Sequence, residues 1–169
     1  MTAKRYILLY IAAGMLTLTG CGFYSHTGAS VPPDAKTFSV DYINNVASIV
    51  MPAFSQILTE RLKSKFINET SLKLTQQDGD VRFSGKILSY VTAPVAVQGN
   101  QQNAVNRLTV TIEITYQNTK DETKNFTQQF TNFVDYSATE NFAAVEADLV
   151  NRVTDILVQD VFNKAFINW

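Results

Sequence analysis

The segment VNRLTVTIEITYQN, residues 105–118, constrains the fold more than any other part of the chain. Leu108, Val110, Ile112, Ile114 and Tyr116 alternate with Thr109, Thr111, Glu113 and Thr115. Successive side chains of an extended backbone point to opposite faces, so a period of two predicts a strand with one face in a core and the other polar or wet. One strand cannot cover its own apolar face, so the pattern demands a sheet and a second layer packed on it.

The flanking segments supply both. KNFTQQFTNFVDY (124–136) repeats the alternation through Phe126, Phe130, Val134 and Tyr136, and the polar NTKDET before it reads as a hairpin loop. TFSVDYI (37–43) places Phe38, Val40 and Tyr42 on one strand face. Residues 71–97 are extended but interrupted: Asp78-Gly79 predicts a tight hairpin turn, Gly85 a bulge, and Pro94 an edge or strand end. Two segments switch to the helical period. In MPAFSQILTERLKSKFIN (51–68), Phe54, Ile57, Leu58, Leu62 and Phe66 share one face, and Pro52 suits the first turn, where no amide partner is lost. The closing segment sets Phe142, Val145, Leu149, Val153, Ile156 and Leu157 on one stripe, with Ser137 or Thr139 as cap and Glu140 near the positive end of the dipole. The expected fold is α+β over residues 37–169: two helices packed on one face of a mostly antiparallel four-stranded sheet, in the order β-α-β-β-β-α.

Residues 1–20 read differently. Lys4 and Arg5 precede an apolar run from Ile7 to Leu18, closed by Thr19-Gly20, which is the pattern of a signal peptide. The run falls short of the roughly 20 apolar residues that a stable membrane span needs. Leu18-Thr19-Gly20-Cys21 resembles the lipobox of bacterial lipoproteins, which implies cleavage between Gly20 and Cys21 and acyl chains on Cys21, the chain's single cysteine. A thiolate is the nucleophile that forms a stable thioether. The other reading is a secreted protein whose odd cysteine stays free or pairs with another chain. Residues 21–36, with two Pro after Val31, read as a lipidated tether. Removing Lys4 and Arg5 moves the formal net charge from −1 to −3. No basic stripe of a nucleic-acid-binding domain is visible.

Catalytic and metal chemistry find little material. His26, the only histidine, sits in the tether, where no rigid scaffold holds it against a base. Asp78 and Asp80 bracket a glycine but lack the other ligands of a calcium loop, and turn chemistry accounts for them. GNQQNAVNR (99–107) has no phosphate-loop Lys-Ser/Thr pair. It reads as an exposed, uncharged recognition loop. No enzyme, metal or cofactor is expected, and by elimination the domain binds something.

Taken together, CGFYSHTGASVPPDAKTFSVDY, FSQILTERLKSKF, SLKLTQQDGDVRFSGKI, APVAVQGNQQNAVNRLTVTI and VEADLVNRVTDILVQDVFNKAFINW resemble the LptE family in its Bacteroidetes form, across the whole chain after the signal peptide. The resemblance implies an outer-membrane lipoprotein that plugs the lumen of the LptD β-barrel and helps lipopolysaccharide reach the outer leaflet. It also implies an α/β sandwich of helices on a four-stranded sheet. Gly22 after the lipidated cysteine implies transfer to the outer membrane, with the domain facing the periplasm and the barrel lumen.

The polar face through Thr109, Thr111 and Thr115, together with Trp169, is the expected barrel contact, though the same threonines fit an ordinary solvated sheet face. By position, Arg107, Lys86, Lys120 and Lys124 are the candidates for lipopolysaccharide phosphates, with isolated surface salt bridges as the alternative. Two rival functions are a lipid-anchored periplasmic binding module for a glycan or small ligand, and a periplasmic hydrolase.

Overall fold

The computed structural model describes residues 31–48, 51–95 and 104–167. In chain order the elements are β1 (Thr37–Val40), β2 (Asn44–Asn45), α1 (Pro52–Glu69), β3 (Lys73–Leu74), β4 (Val81–Val95), β5 (Val105–Asn118), a 3-10 turn (Glu122–Lys124), β6 (Phe126–Ser137) and α2 (Phe142–Phe166). The α+β class and the two helices agree with expectation, but the sheet is six-stranded and mixed. Its order is β3-β1-β4-β5-β6, with β2 also lying along β4. β4, β5 and β6 form an antiparallel meander, while β1, β2 and β3 run parallel to their neighbours. The parallel half follows from α1, since a helix between two strands returns the chain in the same direction. β2 and β3 escape sequence reading because two residues cannot display a period.

Several local expectations are corrected in the same region. The strand from Thr37 ends at Val40, leaving Tyr42 exposed and Ile43 fully buried. Beyond Val40 the backbone peels away and returns: the Asp41 N–H donates to the Phe83 carbonyl at 2.8 Å, and the Val46 N–H to that of Ile87 at 3.0 Å. Ile43 turns inward between them, its N–H donating to Thr59 Oγ1 of α1 at 3.1 Å.

Asp78-Gly79 does not close a hairpin, because β3 and β4 lie on opposite sides of β1. The chain from Leu74 to Val81 crosses over β1, with Asp78 at a φ of 55°. A Cβ on Gly79 would stand 2.6 Å from the backbone of Phe38 and Ser39, so the crossing needs glycine. Gly85 is likewise a point of close approach, against the Glu113 carbonyl, and the bulge falls later, between Ile87 and Ser89. Pro94 does sit near a strand end, where β4 pairs only with β5.

Both helices cover one face. Phe66 of α1 lies 5.6 Å from Phe38 and 4.4 Å from Phe83 of the sheet, and 5.5 Å from Phe166 of α2, ring centre to ring centre. Leu108, Val110, Ile112, Ile114 and Tyr116 are buried beneath this layer, as their alternation requires. Each such side chain contributes about 1.5–3 kcal/mol by leaving water. In α2 the buried stripe runs through Leu149, Val153 and Leu157 and on to Val161 and Phe166, but Ile156 is exposed. The cap is Asn141, whose side chain accepts from the Ala143 N–H at 3.0 Å, in place of Ser137 or Thr139. Glu140 instead reaches back to accept from the Ser137 N–H.

Candidate functional site

The face of the sheet away from the helices carries no described layer. Register fixes its side chains in rows across β4, β5 and β6: Ser84, Thr115 and Thr127; Lys86, Glu113 and Gln129; Ser89, Thr111 and Thr131; Val91, Thr109 and Phe133. Thr111 and Thr131 share a hydrogen bond of 2.9 Å, and Thr115 and Thr127 one of 3.0 Å. The charges on this face are engaged with one another. Lys86 pairs with Glu113 at 3.1 Å, and Arg107 grips Asp135 through two bonds of 2.7 and 2.9 Å while lying 3.6 Å over the Phe133 ring. That grip raises the Arg107 pKa and holds the Asp135 carboxyl below its ordinary value. The result is a surface of hydroxyls and amides with one apolar corner at Val91 and Phe133, both about half exposed.

A second feature lies at the sheet end near the β5–β6 hairpin. A cavity of about 340 Å³ opens between residues 31–34, the hairpin and the last turn of α2. Lys120 and Lys124 enter it from the hairpin and Lys164 from α2. Lys120 Nζ also contacts Asp80 at 3.0 Å, and Lys164 Nζ lies 5.6 Å from the Phe126 ring centre. The Tyr116 and Phe126 rings stack at 5.2 Å behind, and burial pushes the Tyr116 phenol up to about 12. Asn118, almost fully buried, lines the same cavity. Its Oδ1 accepts from the Lys120 and Asp121 N–H groups at 2.8 and 3.2 Å, which fixes the amide's orientation. Its Nδ2 has no hydrogen-bond partner among the described residues. A buried donor in that state costs about 1–3 kcal/mol.

Asp80 braces this end of the molecule. Its carboxylate accepts from the Lys36 and Thr37 N–H groups at 3.0 and 3.1 Å and from the Thr37 hydroxyl at 2.9 Å. Those donors, with the Lys36 N–H foremost and the Lys120 ammonium next, hold the carboxyl well below the usual range. The Asp80 carbonyl accepts from the Thr119 N–H and hydroxyl, so one residue joins β1, β4 and the hairpin.

The four candidate cations therefore fall in two places. Lys86 and Arg107 lie on the outer face, each bound to a carboxylate, while Lys120 and Lys124 line the cavity. Thr109, Thr111 and Thr115 are on the outer face. Gly20, Cys21, His26, most of the 99–107 loop and Trp169 lie outside the described residues. Sequence reading missed Lys164 and Asn118. Lys164 showed only as a cation in a last helical turn, and Asn118 as the end of a strand, because the cavity joins segments far apart in the chain. Among the described residues no three His, Cys, Asp or Glu side chains gather as metal ligands, and no helix is long and apolar enough to cross a membrane.

Two helices over one face of a mixed sheet, with an opposite face that is polar and uncovered among the described residues, define an α+β sandwich. A minor lipoprotein from Acinetobacter baumannii superposes with a TM-score of 0.51 at 16% identity, over 77% of this chain and 91% of that one. A Xanthomonas campestris protein superposes with a TM-score of 0.53 at 10% identity, over 79% and 87%. Likeness at such identities speaks to the fold alone. No curated protein matches the sequence. The family model described as lipopolysaccharide-assembly, LptE, matches residues 35–165, and the chain belongs to that family. Membership makes it a lipopolysaccharide-assembly lipoprotein of a non-catalytic family.

Proposed function

We propose that this chain is an outer-membrane lipoprotein, anchored by acyl chains on Cys21, that occupies the lumen of an LptD-type β-barrel and supports lipopolysaccharide insertion into the outer leaflet. The observation that carries this reading is the outer face of β4, β5 and β6, which is polar and uncovered among the described residues. A barrel lumen is polar and water-lined. A protein seated in it needs hydroxyls and amides that can exchange water for wall groups, and few unpaired charges to strip of solvent. Thr109, Thr111, Thr115 and Thr131 present such groups, and the charges beside them are already paired. Trp169 is a further candidate contact, and the domain faces the periplasm and the lumen.

A photocrosslinker at Thr111 or Thr115 should yield a covalent adduct with a large β-barrel that also co-purifies in detergent. The same probe at Asp155, exposed on α2, should yield none. Adducts from Asp155 alone, or no barrel in the eluate, would overturn the assignment. Mass spectrometry of the mature chain should find acyl mass on Cys21, and a bare thiol there would remove the anchor. The second reading, a lipid-anchored binding module for a glycan or small ligand, is favoured by the cavity. It predicts ligand-dependent thermal stabilisation in preparations that contain no barrel.

A further inference from the structure

We propose that the free edge of β6 takes up an extended, uncharged segment of the barrel protein as a seventh strand of the sheet. The identity of the occupant rests on the barrel reading above, whereas the openness of the edge stands on the geometry of β6 itself.

The two borders of the sheet are built differently. On the β1 side it ends in β2 and β3, two residues each, with Lys73 in β3. Strands so short, or carrying lysine, give an incoming chain little to pair with. The opposite border is β6, twelve residues long, without Lys, Arg or Pro, and in unbroken register with β5. It has none of the devices by which a sheet edge is ordinarily closed.

The ladder fixes which groups are open. The Ala138 N–H donates to the Ala104 carbonyl at 3.0 Å, and bonded pairs alternate in an antiparallel ladder. The even-numbered residues of β6, from Phe126 to Tyr136, therefore bond to β5. Thr127, Gln129, Thr131, Phe133 and Asp135 turn their N–H and C=O groups outward. All five are exposed, and those backbone groups have no partner among the described residues. The next of the series, Ser137, is closed: its N–H donates to the Glu140 carboxylate and its carbonyl accepts from the Glu140 N–H. The one charge in the strand, Asp135, is held by Arg107, so the added segment needs no charge of its own.

α2 decides against a second copy of this chain as the occupant. It runs along β6, with Phe142 beside Tyr136, Asp160 bonded to Asn132 and Lys164 over Phe126. A β6–β6 pairing would set the two strands about 4.8 Å apart, each with an α2 above it, whereas packed helices stand about 8–10 Å apart. The edge suits a strand that brings no helix. Continuity favours the barrel, because Thr127, Thr131 and Phe133 belong to the outer face assigned to the lumen wall, and a segment along β6 extends that contact. The edge also has an apolar group on either side. Phe133 is half exposed on the outer face. On α2, Asn151, Asp155 and Gln159 turn to α1, so exposed Ile156, one turn before Asp160, falls on the flank above β6. Successive side chains of an added strand point to these two sides in turn.

The test is amide hydrogen exchange on the full mature chain in nonionic detergent, alone and co-purified with the barrel, quenched and read by NMR after dissociation. Alone, the amides of Thr127, Gln129, Thr131 and Phe133 should exchange at least tenfold faster than those of Phe130, Asn132 and Val134. In the complex the odd-numbered amides should slow at least tenfold. Gln129→Pro deletes one outward N–H, which an edge strand tolerates, and should lower barrel recovery at least tenfold with little change in thermal stability. Thr131→Lys keeps its N–H, adds the charge that natural edges use against pairing, and should lower recovery likewise.

Odd-numbered amides already protected in the isolated chain would overturn the open edge, and a dimer in sedimentation would then identify a second copy as its occupant. Odd-numbered amides that stay unprotected in a complex still crosslinked through Thr111, or both variants recovered like the parent, would overturn the added strand and leave the plug standing. An eluate without any barrel would overturn both.

Discussion

The two faces of β5 are made by neighbouring residues of one strand and obey different physics. Inward, Leu108, Val110, Ile112 and Ile114 are fully buried under α1 and α2. Outward, Thr109, Thr111, Glu113 and Thr115 remain partly exposed, and Thr111, Glu113 and Thr115 bond sideways to β4 and β6. The inner face holds the domain together through area removed from water. The outer face adds little to that, since exposed hydroxyl pairs and ion pairs are worth a fraction of a buried ring. A surface so ordered and yet so weakly needed for folding is free to serve contact with another molecule.

Substitutions that separate the faces should differ widely in effect. Phe66→Ala, which removes the ring shared by Phe38, Phe83 and Phe166, should lower stability in urea unfolding by about 3–5 kcal/mol. A loss as small as that of an outer-face change would erase the distinction. Gly79→Ala forces a methyl against the backbone of β1 and should lower stability by about 1–3 kcal/mol in the same assay. Tyr90→Phe removes one polar link between the inner face and α2, the 2.8 Å bond from its hydroxyl to Glu146, and should lose about 1 kcal/mol. Thr111→Ala should change stability by less than about 0.5 kcal/mol, yet weaken barrel capture. A larger loss of stability would mean that the outer face is structural.

An acid titration sharpens the contrast further, because the carboxyls with lowered pKa, Asp80, Asp121 and Asp135, all lie outside the inner core. An unfolded aspartate titrates near about 3.9. Their contribution is therefore present above about pH 4 and is lost as pH falls through the lower folded values. Unfolding monitored by circular dichroism should show a plateau above that pH and a decline below it. In Asp80→Asn, which cannot make that titration, the decline should be shallower.

How much of this was legible in the sequence depended on the length of each pattern. β5 was readable as a strand, because nine residues of alternation from Leu108 to Tyr116 leave little choice of register. α1 was readable from Pro52 and five residues of one face. β2 and β3 were not, since each gains its strand character from a neighbour's hydrogen bonds and not from its own two residues. Asp78-Gly79 carried a true turn signal, but sequence alone does not say which strand the turn steps across. The outer threonines were visible as a face. The cavity was invisible, because Lys164 and Asn118 meet only after the sheet and α2 have been assembled.

The placement of β1 has a mechanical consequence. The chain enters its fold between two strands, β3 and β4, and Asp80 bolts that entry point to the hairpin. A tug on the N-terminal side of Lys36 must shear hydrogen bonds along both borders of β1 together, where an outermost strand would unzip one rung at a time. A leash attached there can bear load without unravelling what it holds.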